Sequence, residues 1–341
     1  MSAATEFDII QRYFSFSDAL HLNSPNGADA GFAAAPLLGI GDDAAVLPAA
    51  HLPQIVATDT LIEGVHFPER FAAEHVASRA IGVNLSDFAA MGARPLWMTM
   101  ALSLPDVDED WLFAFSRSLA AECERYKVQL IGGDTTKGAL SLSLTVIGHP
   151  GAIENSDEPL WLTRNGARAG DDIWVSGSLG KGAGALALLT DTESGDWSER
   201  ANADELEALR TSFYAPLPRL ALGEGLLPLA SAAIDISDGL LADAGHIAEQ
   251  SQVQLVIDSK RLPVDVALSA YKDQHKVMDW VFGGGDEYEL LFCASPDNRS
   301  AIKALADRLL LACTRIGSVV DGAGVAVLGD CERGDDGYRH F

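Results

Sequence analysis

The chain has 341 residues, 48% hydrophobic and 21% charged, a composition far from that of a disordered chain and long enough for two domains with separate cores. Its formal net charge of -25 excludes a nucleic-acid or anionic-lipid surface, because both partners demand clustered Lys and Arg. Cys123, Cys293, Cys313 and Cys331 show no CxxC spacing and read as reduced thiols; with no leader pattern and no run near ~18 apolar residues, a soluble cytoplasmic enzyme is expected.

In chain order, QIVATD (54–59) reads as a buried strand delivering Thr58 and Asp59 at its end. Residues 74–91 carry Val76, Ala80, Val83 and Phe88 near helical period, which puts Asp87 close to that helix's C-terminus. A strand over 96–104 and a helix over 110–126 with an acid-rich start follow. Residues 128–131 form a short strand, and the pair Gly132, Gly133 predicts a tight turn that leaves Asp134 at a strand end. A strand over 140–148 closes this half, and the Pro-containing stretch 149–159 is the expected boundary, giving domains 1–150 and 151–341. Beyond it the pattern predicts a strand at 172–176, a small-residue helix at 182–189 and a polar surface insertion at 191–204. A helix at 218–229, a strand at 232–236 and a helix at 240–250 come next. Such alternation indicates an α/β class with α+β layers.

The acids recur in one design: GIGDDAAV (39–46), TDTLIEGVHF (58–67), NLSDFAAMGA (84–93), GGDTT (132–136), DISDGL (235–240) and GGGDEYELLF (283–292). Short carboxylates on turn-forming backbone suit Mg2+, which takes oxygen ligands and shares them with substrate phosphates. Each acid alone also fits an Asx turn or a helix cap; the repetition is what favours a magnesium-dependent, phosphate-handling enzyme. At DISDGL the carboxylates of Asp235 and Asp238 are expected to hold metal while free amides at the helix start face an anion. His66, between apolar neighbours, fits a packed residue as well as a ligand, and Arg164 fits a phosphate fork or a plain surface role. GSLGKGAGA (177–185) lacks the spacing and hydroxyl of a phosphate loop and reads as a close-packed strand-to-helix turn.

In this order those motifs, with LTRNGARAGD (162–171) and the terminal GYRHF (337–341), resemble the thiamine-monophosphate kinase family, within the superfamily of aminoimidazole ribonucleotide synthetase and selenophosphate synthetase. The resemblance implies a two-domain homodimer. Its N-terminal α/β domain binds metal and ATP and pairs across the two-fold; its C-terminal α/β domain closes the active-site cleft. It also implies transfer of the ATP γ-phosphoryl group onto thiamine monophosphate, giving thiamine diphosphate by direct in-line attack with several Mg2+ and no general base. Carried over, Asp43, Thr58, Asp59, Asp87, Asp134, Asp235 and Asp238 are implied metal ligands, while Gly133, Asp134, Arg164 and Ser237 face ATP. His66, Asp286 and Tyr338 lie against thiamine monophosphate. The chain departs from the family where Gly-Gly-Glu-Asp-Tyr-Glu-Leu becomes Gly284, Gly285, Asp286, Glu287, Tyr288, Glu289, Leu290, so either Asp286 or Glu287 serves as the substrate acid. Ala57 replaces a common Ser or Thr, leaving only its carbonyl for a metal. Another ATP-dependent synthetase of the superfamily and a non-catalytic Mg-ATP sensor are the competing readings.

Overall fold

The structure is a computed structural model that describes residues 6–15, 36–40, 44–151, 159–190, 197 and 202–329. Its contacts divide the chain into two compact units, one of 1–85 and 94–150, the other of 86–93 and 151–341. Among the described residues no helix is long and apolar enough to cross a membrane.

The first unit opens with a short helix, α1 (Glu6–Ile9), whose π-helical continuation reaches Phe14, and Phe14 packs edge-on against Phe115. It is built around a four-stranded sheet of β1 (Ile55–Ile62), β2 (Ala93–Leu104), β3 (Gln129–Lys137) and β4 (Ser141–Pro150), in spatial order β1-β4-β2-β3. The two long helices are α2 (Ala73–Ala90) and α3 (Glu109–Tyr126). Strand β4 alternates strictly: Leu142, Leu144 and Val146 are buried, and Ser143, Thr145 and Ile147 point to the other, less covered face. That second face continues on β1, where Thr58 and Thr60 bond Thr145 (2.9 Å) and Ser143 (2.6 Å). Asp108 caps α3 by accepting from the N–H groups of Asp110 and Trp111, as the acidic start predicts.

One expectation fails here. The strand at 128–131 does not turn at Gly132; β3 runs on through Gly133 and Asp134 to Lys137 in parallel pairing with β2. Gly133 serves close approach, since a Cβ on it would lie 1.9 Å from the Met100 carbonyl oxygen.

The second unit holds a six-stranded sheet, β6 (Ala230–Asp235), β8 (Leu290–Ala294), β5 (Asp172–Ser176), β9 (Cys313–Val320), β7 (Gln254–Asp258) and β10 (Gly324–Leu328), neighbours in that order. All five residues of β5 and of β8 are buried; β8 is apolar throughout, while β5 carries the polar Asp172 and Ser176 at its two ends. The helices are α4 (Lys181–Thr190), α5 (Ala203–Tyr214), α6 (Leu220–Leu226), α7 (Leu240–Ser251), α8 (Gln274–Gly283) and α9 (Arg299–Leu309). Part of the expected polar insertion and the residues after it are helix: α5 is capped by the Asn202 side chain and buries Leu209 and Phe213. The core joins Trp174, Phe292, Leu222, Leu226, Ile302 and Leu305 to Ala89 and Ala90, the last two residues of α2.

Candidate active site

Each unit contributes part of the set of residues marked by the motifs. In the first, Thr58 and Asp59 are neighbours on β1 and so point to opposite faces; Asp59 shares the side of Leu61, and its N–H donates to Asn84 Oδ1 at 3.1 Å. Asn84 is fixed in turn by its own bond to the Ala80 carbonyl. Gly133 and Asp134 lie on β3, at the far edge of the same sheet, roughly 14 Å of strand spacing away. The sheet therefore does not bring Asp59 and Asp134 together within this unit. His66 closes a turn after β1: Nδ1 accepts the Ile62 N–H at 2.9 Å, and the buried Arg79 guanidinium donates to its carbonyl at 3.0 Å. Asp43 and Tyr338 lie outside the described residues.

In the second unit two distant motifs are zipped together. Asp286 N–H donates to Ser237 O (2.9 Å), Tyr288 N–H to Ile236 O (2.8 Å) and Ile236 N–H to Glu289 O (2.8 Å), extending the β6–β8 pairing past the strand ends. DISDGL and GGGDEYEL thus form one loop pair carrying Asp235, Ser237, Asp238 and Asp286. Asp235 is 5% exposed and accepts from Ser86 Oγ at 2.6 Å; Ser86 adjoins Asp87, half-buried in the last turn of α2. Burial raises the Asp235 pKa, with Asp238 adding to the rise, against the pull of Ser86 and of the exposed Arg164.

The amides at the head of α7 are not free. Asp243 Oδ2 accepts from the N–H groups of Ser237 (3.1 Å), Asp238 (3.1 Å) and Gly239 (3.2 Å), so the chain's own carboxylate fills the place expected for an external anion. Burial, then Asp235 and Asp238, push Asp243 up to about 7. Neither Asp235 nor Asp238 caps the helix; Gly239 occupies that position without a side-chain bond. Asp243 escaped the sequence reading although it follows the motif closely, because an acid in the first turn of a helix reads as ordinary dipole matching.

The turn into α4 is closed in the same way. Glu287, 6% exposed, accepts from the N–H groups of Lys181 and Gly182, both at 3.3 Å. Burial pushes it up to about 8, opposed by Lys181 and reinforced by Glu289. Glu289 is fully buried and bonds Lys181 Nζ (2.6 Å), Arg219 (2.5 and 2.7 Å) and Ser176 Oγ (2.6 Å). Burial alone would raise it, but the two cations hold it below the ordinary glutamate value. With Glu287 committed inward, Asp286 is the acid left at the loop surface; it accepts from Tyr288 Oη at 2.9 Å. Asp286 (φ 66°) and Tyr288 (φ 50°) both adopt left-handed backbone, which costs ~1–2 kcal/mol each for a non-glycine residue.

Among the described residues no three His, Cys, Asp or Glu side chains gather into a metal-binding group. The donor types nonetheless fit Mg2+. They are carboxylate and hydroxyl oxygens, and the desolvated Asp235 stands near like-charged Asp238, an arrangement that a divalent cation relieves.

Comparison with known proteins agrees with these motifs. Residues 41–149 match the model of the AIR synthase related protein N-terminal domain, and 168–330 that of its C-terminal domain. Thiamine-monophosphate kinase of Escherichia coli (strain K12) is 38% identical, covering 99% of this chain and 99% of that protein. The crystal structure of thiamine-monophosphate kinase from Stenotrophomonas maltophilia K279a superimposes with a TM-score of 0.78 at 46% identity, over 87% of this chain and 92% of that one. AaThiL complexed with AMPPCP and TMP does so with a TM-score of 0.71 at 32% identity, over 84% and 87%. Full-length identity at this level and two consecutive domain matches place the chain: it belongs to the thiamine-monophosphate kinase family.

Proposed function

We propose that this chain transfers the γ-phosphoryl group of ATP to thiamine monophosphate, forming thiamine diphosphate and ADP. A phosphate oxygen of thiamine monophosphate bonds to the γ-phosphorus as the bridge to the β-phosphate breaks, and ADP leaves. The acceptor is already an anion, so no side chain need remove a proton, and positioning with charge compensation carries the catalysis. The observation that carries the reading is the loop pair joining DISDGL to GGGDEYEL, in a chain whose relatives share that family name over their full length.

Asp43, Thr58, Asp59, Asp87, Asp134, Asp235 and Asp238 serve as magnesium ligands in this proposal. Bound Mg2+ supplies charge neutralisation between the facing phosphates. Gly133, Asp134, Arg164 and Ser237 face ATP: Arg164 adds positive charge beside Asp235, and Ser237 presents its hydroxyl from a backbone fixed by Asp243. His66, Asp286 and Tyr338 face thiamine monophosphate; the Asp286 carboxylate complements the substrate's cationic ring. AaThiL, complexed with AMPPCP and TMP, supports the assignment of both substrates. The first unit binds metal and ATP and pairs as a homodimer through the sheet face on which Thr60, Ser143 and Thr145 stand, where Val56 is 58% exposed. The protein works in the cytoplasm, where its thiols stay reduced.

Purified protein incubated with ATP, Mg2+ and thiamine monophosphate should yield thiamine diphosphate and ADP in equal amounts by chromatography. Saturable Mg-ATP binding without any transfer would instead identify a nucleotide sensor.

A further inference from the structure

The kinase reading uses one of the two adjacent acids in GGGDEYEL and leaves the buried one without a role. Glu287 turns inward, and its two carboxylate oxygens accept from the first amides of α4, Lys181 and Gly182. On either side of it, Asp286 and Tyr288 both stand in left-handed backbone. Two such residues separated by one position relax unless their surroundings over-determine them. On one flank the surroundings are the carbonyls of Ser237 and Ile236, which receive the Asp286 and Tyr288 amides. On the other flank stands the start of α4, approached so closely that a Cβ on Gly182 would lie 2.2 Å from the Gly285 carbonyl oxygen.

We infer that Glu287 is a positioning residue for the transfer: by clamping the loop to the head of α4 it holds the conformation that presents Asp286, already paired with Tyr288 Oη, to the substrate. This deepens the kinase reading and rests on it. The role is distinct from that of Glu289, whose three partners secure β5, α4 and the residue preceding α6. The hydrogen bonds of the Glu287 carboxyl go to backbone amides at the start of α4, with Lys181 and Glu289 acting on it electrostatically, so its influence reaches substrate through Asp286.

The test compares Glu287→Gln and Glu287→Asp with the unmodified enzyme. KM is measured for each substrate, and amide hydrogen exchange is followed at Asp286 and Tyr288. KM for thiamine monophosphate should rise about tenfold, equivalent to ~1.4 kcal/mol, while KM for ATP stays within about twofold. Exchange at the two loop amides should quicken while β8 stays protected. Should Glu287→Gln not fold, Glu287→Asp, which keeps a carboxyl group with both oxygens one methylene shorter, decides the matter. A folded variant in which either the thiamine monophosphate KM or the loop exchange is unchanged overturns the inference, as does a parallel rise in both KM values. Unmodified protein that makes no thiamine diphosphate would sink the kinase assignment itself, and loop exchange would still report whether Glu287 is the clamp.

Discussion

Asp134 stands on an exposed part of β3, its backbone paired with Ala101 and its carboxylate buried in neither core. Asp59 is half-buried, held through its backbone by Asn84. In the proposed role each supplies charge to a bound cation rather than packing to the fold. Asp134→Asn and Asp59→Asn should therefore lower kcat at least about a hundredfold while circular dichroism and melting temperature hold. A rate within twofold of the parent in either variant would contradict the ligand assignment. At this scale the sequence discloses the acids that lie in glycine-rich turns, because composition and spacing are local. It conceals the groups that act by position. Ser86 meets Asp235 across 149 residues, and Glu289 meets Lys181 across 108, and no periodicity encodes either pairing.

Among elements, α6 approaches the end of α2 at Gly223, where a Cβ would fall 1.9 Å from the Ala89 carbonyl oxygen. Small residues on both sides, Ala89, Ala90 and Gly223, permit that contact, and Leu222 and Leu226 are buried beside it. Gly223→Ala should force the helices apart and destabilise the protein by ~1–3 kcal/mol, seen as a lower urea midpoint with unchanged slope. An unchanged midpoint would mean that the contact yields without cost. Elements with a clean period were legible: residues 172–176 are β5, and the turn at 177–180 leads into a close-packed α4, with Gly177 (φ 60°) and Gly180 (φ 85°) left-handed. Elsewhere a local signal was outvoted. The Gly132, Gly133 pair looks like a break, yet β2 supplies a full parallel partner and the strand continues. The insertion expected over 191–204 ends in residues that open a helix instead, and along that helix Leu209 and Phe213 recur at helical spacing and are buried.

Across the whole molecule, buried carboxylates set opposing pH responses. Asp172 is held below its ordinary value by hydrogen bonds from Arg299 and Arg315, and Glu289 by Lys181 and Arg219, in each case against burial. Folded values below the unfolded ones mean that their stabilisation is present above about pH 4 to 5 and is lost as pH falls through the folded values. Glu287 has the opposite sign. Raised to about 8, it contributes fully below its ordinary value near 4.5, and that contribution is lost as pH climbs towards 8. Melting temperature measured from pH 5 to 8 should fall for the unmodified protein relative to Glu287→Gln, while both decline below pH 4. A difference between the two that stays level from pH 5 to 8 would refute this.

The assignment of residues 86–93 to the second unit has a practical consequence for anyone dissecting the protein. A fragment that starts after Pro150 omits Ala89 and Ala90, and so lacks two of its own core side chains and the peptide group against which Gly223 nests. Limited proteolysis or truncation near that proline should release an incompletely packed piece rather than an autonomous module. Adding the helical peptide back in trans is the natural way to heal it.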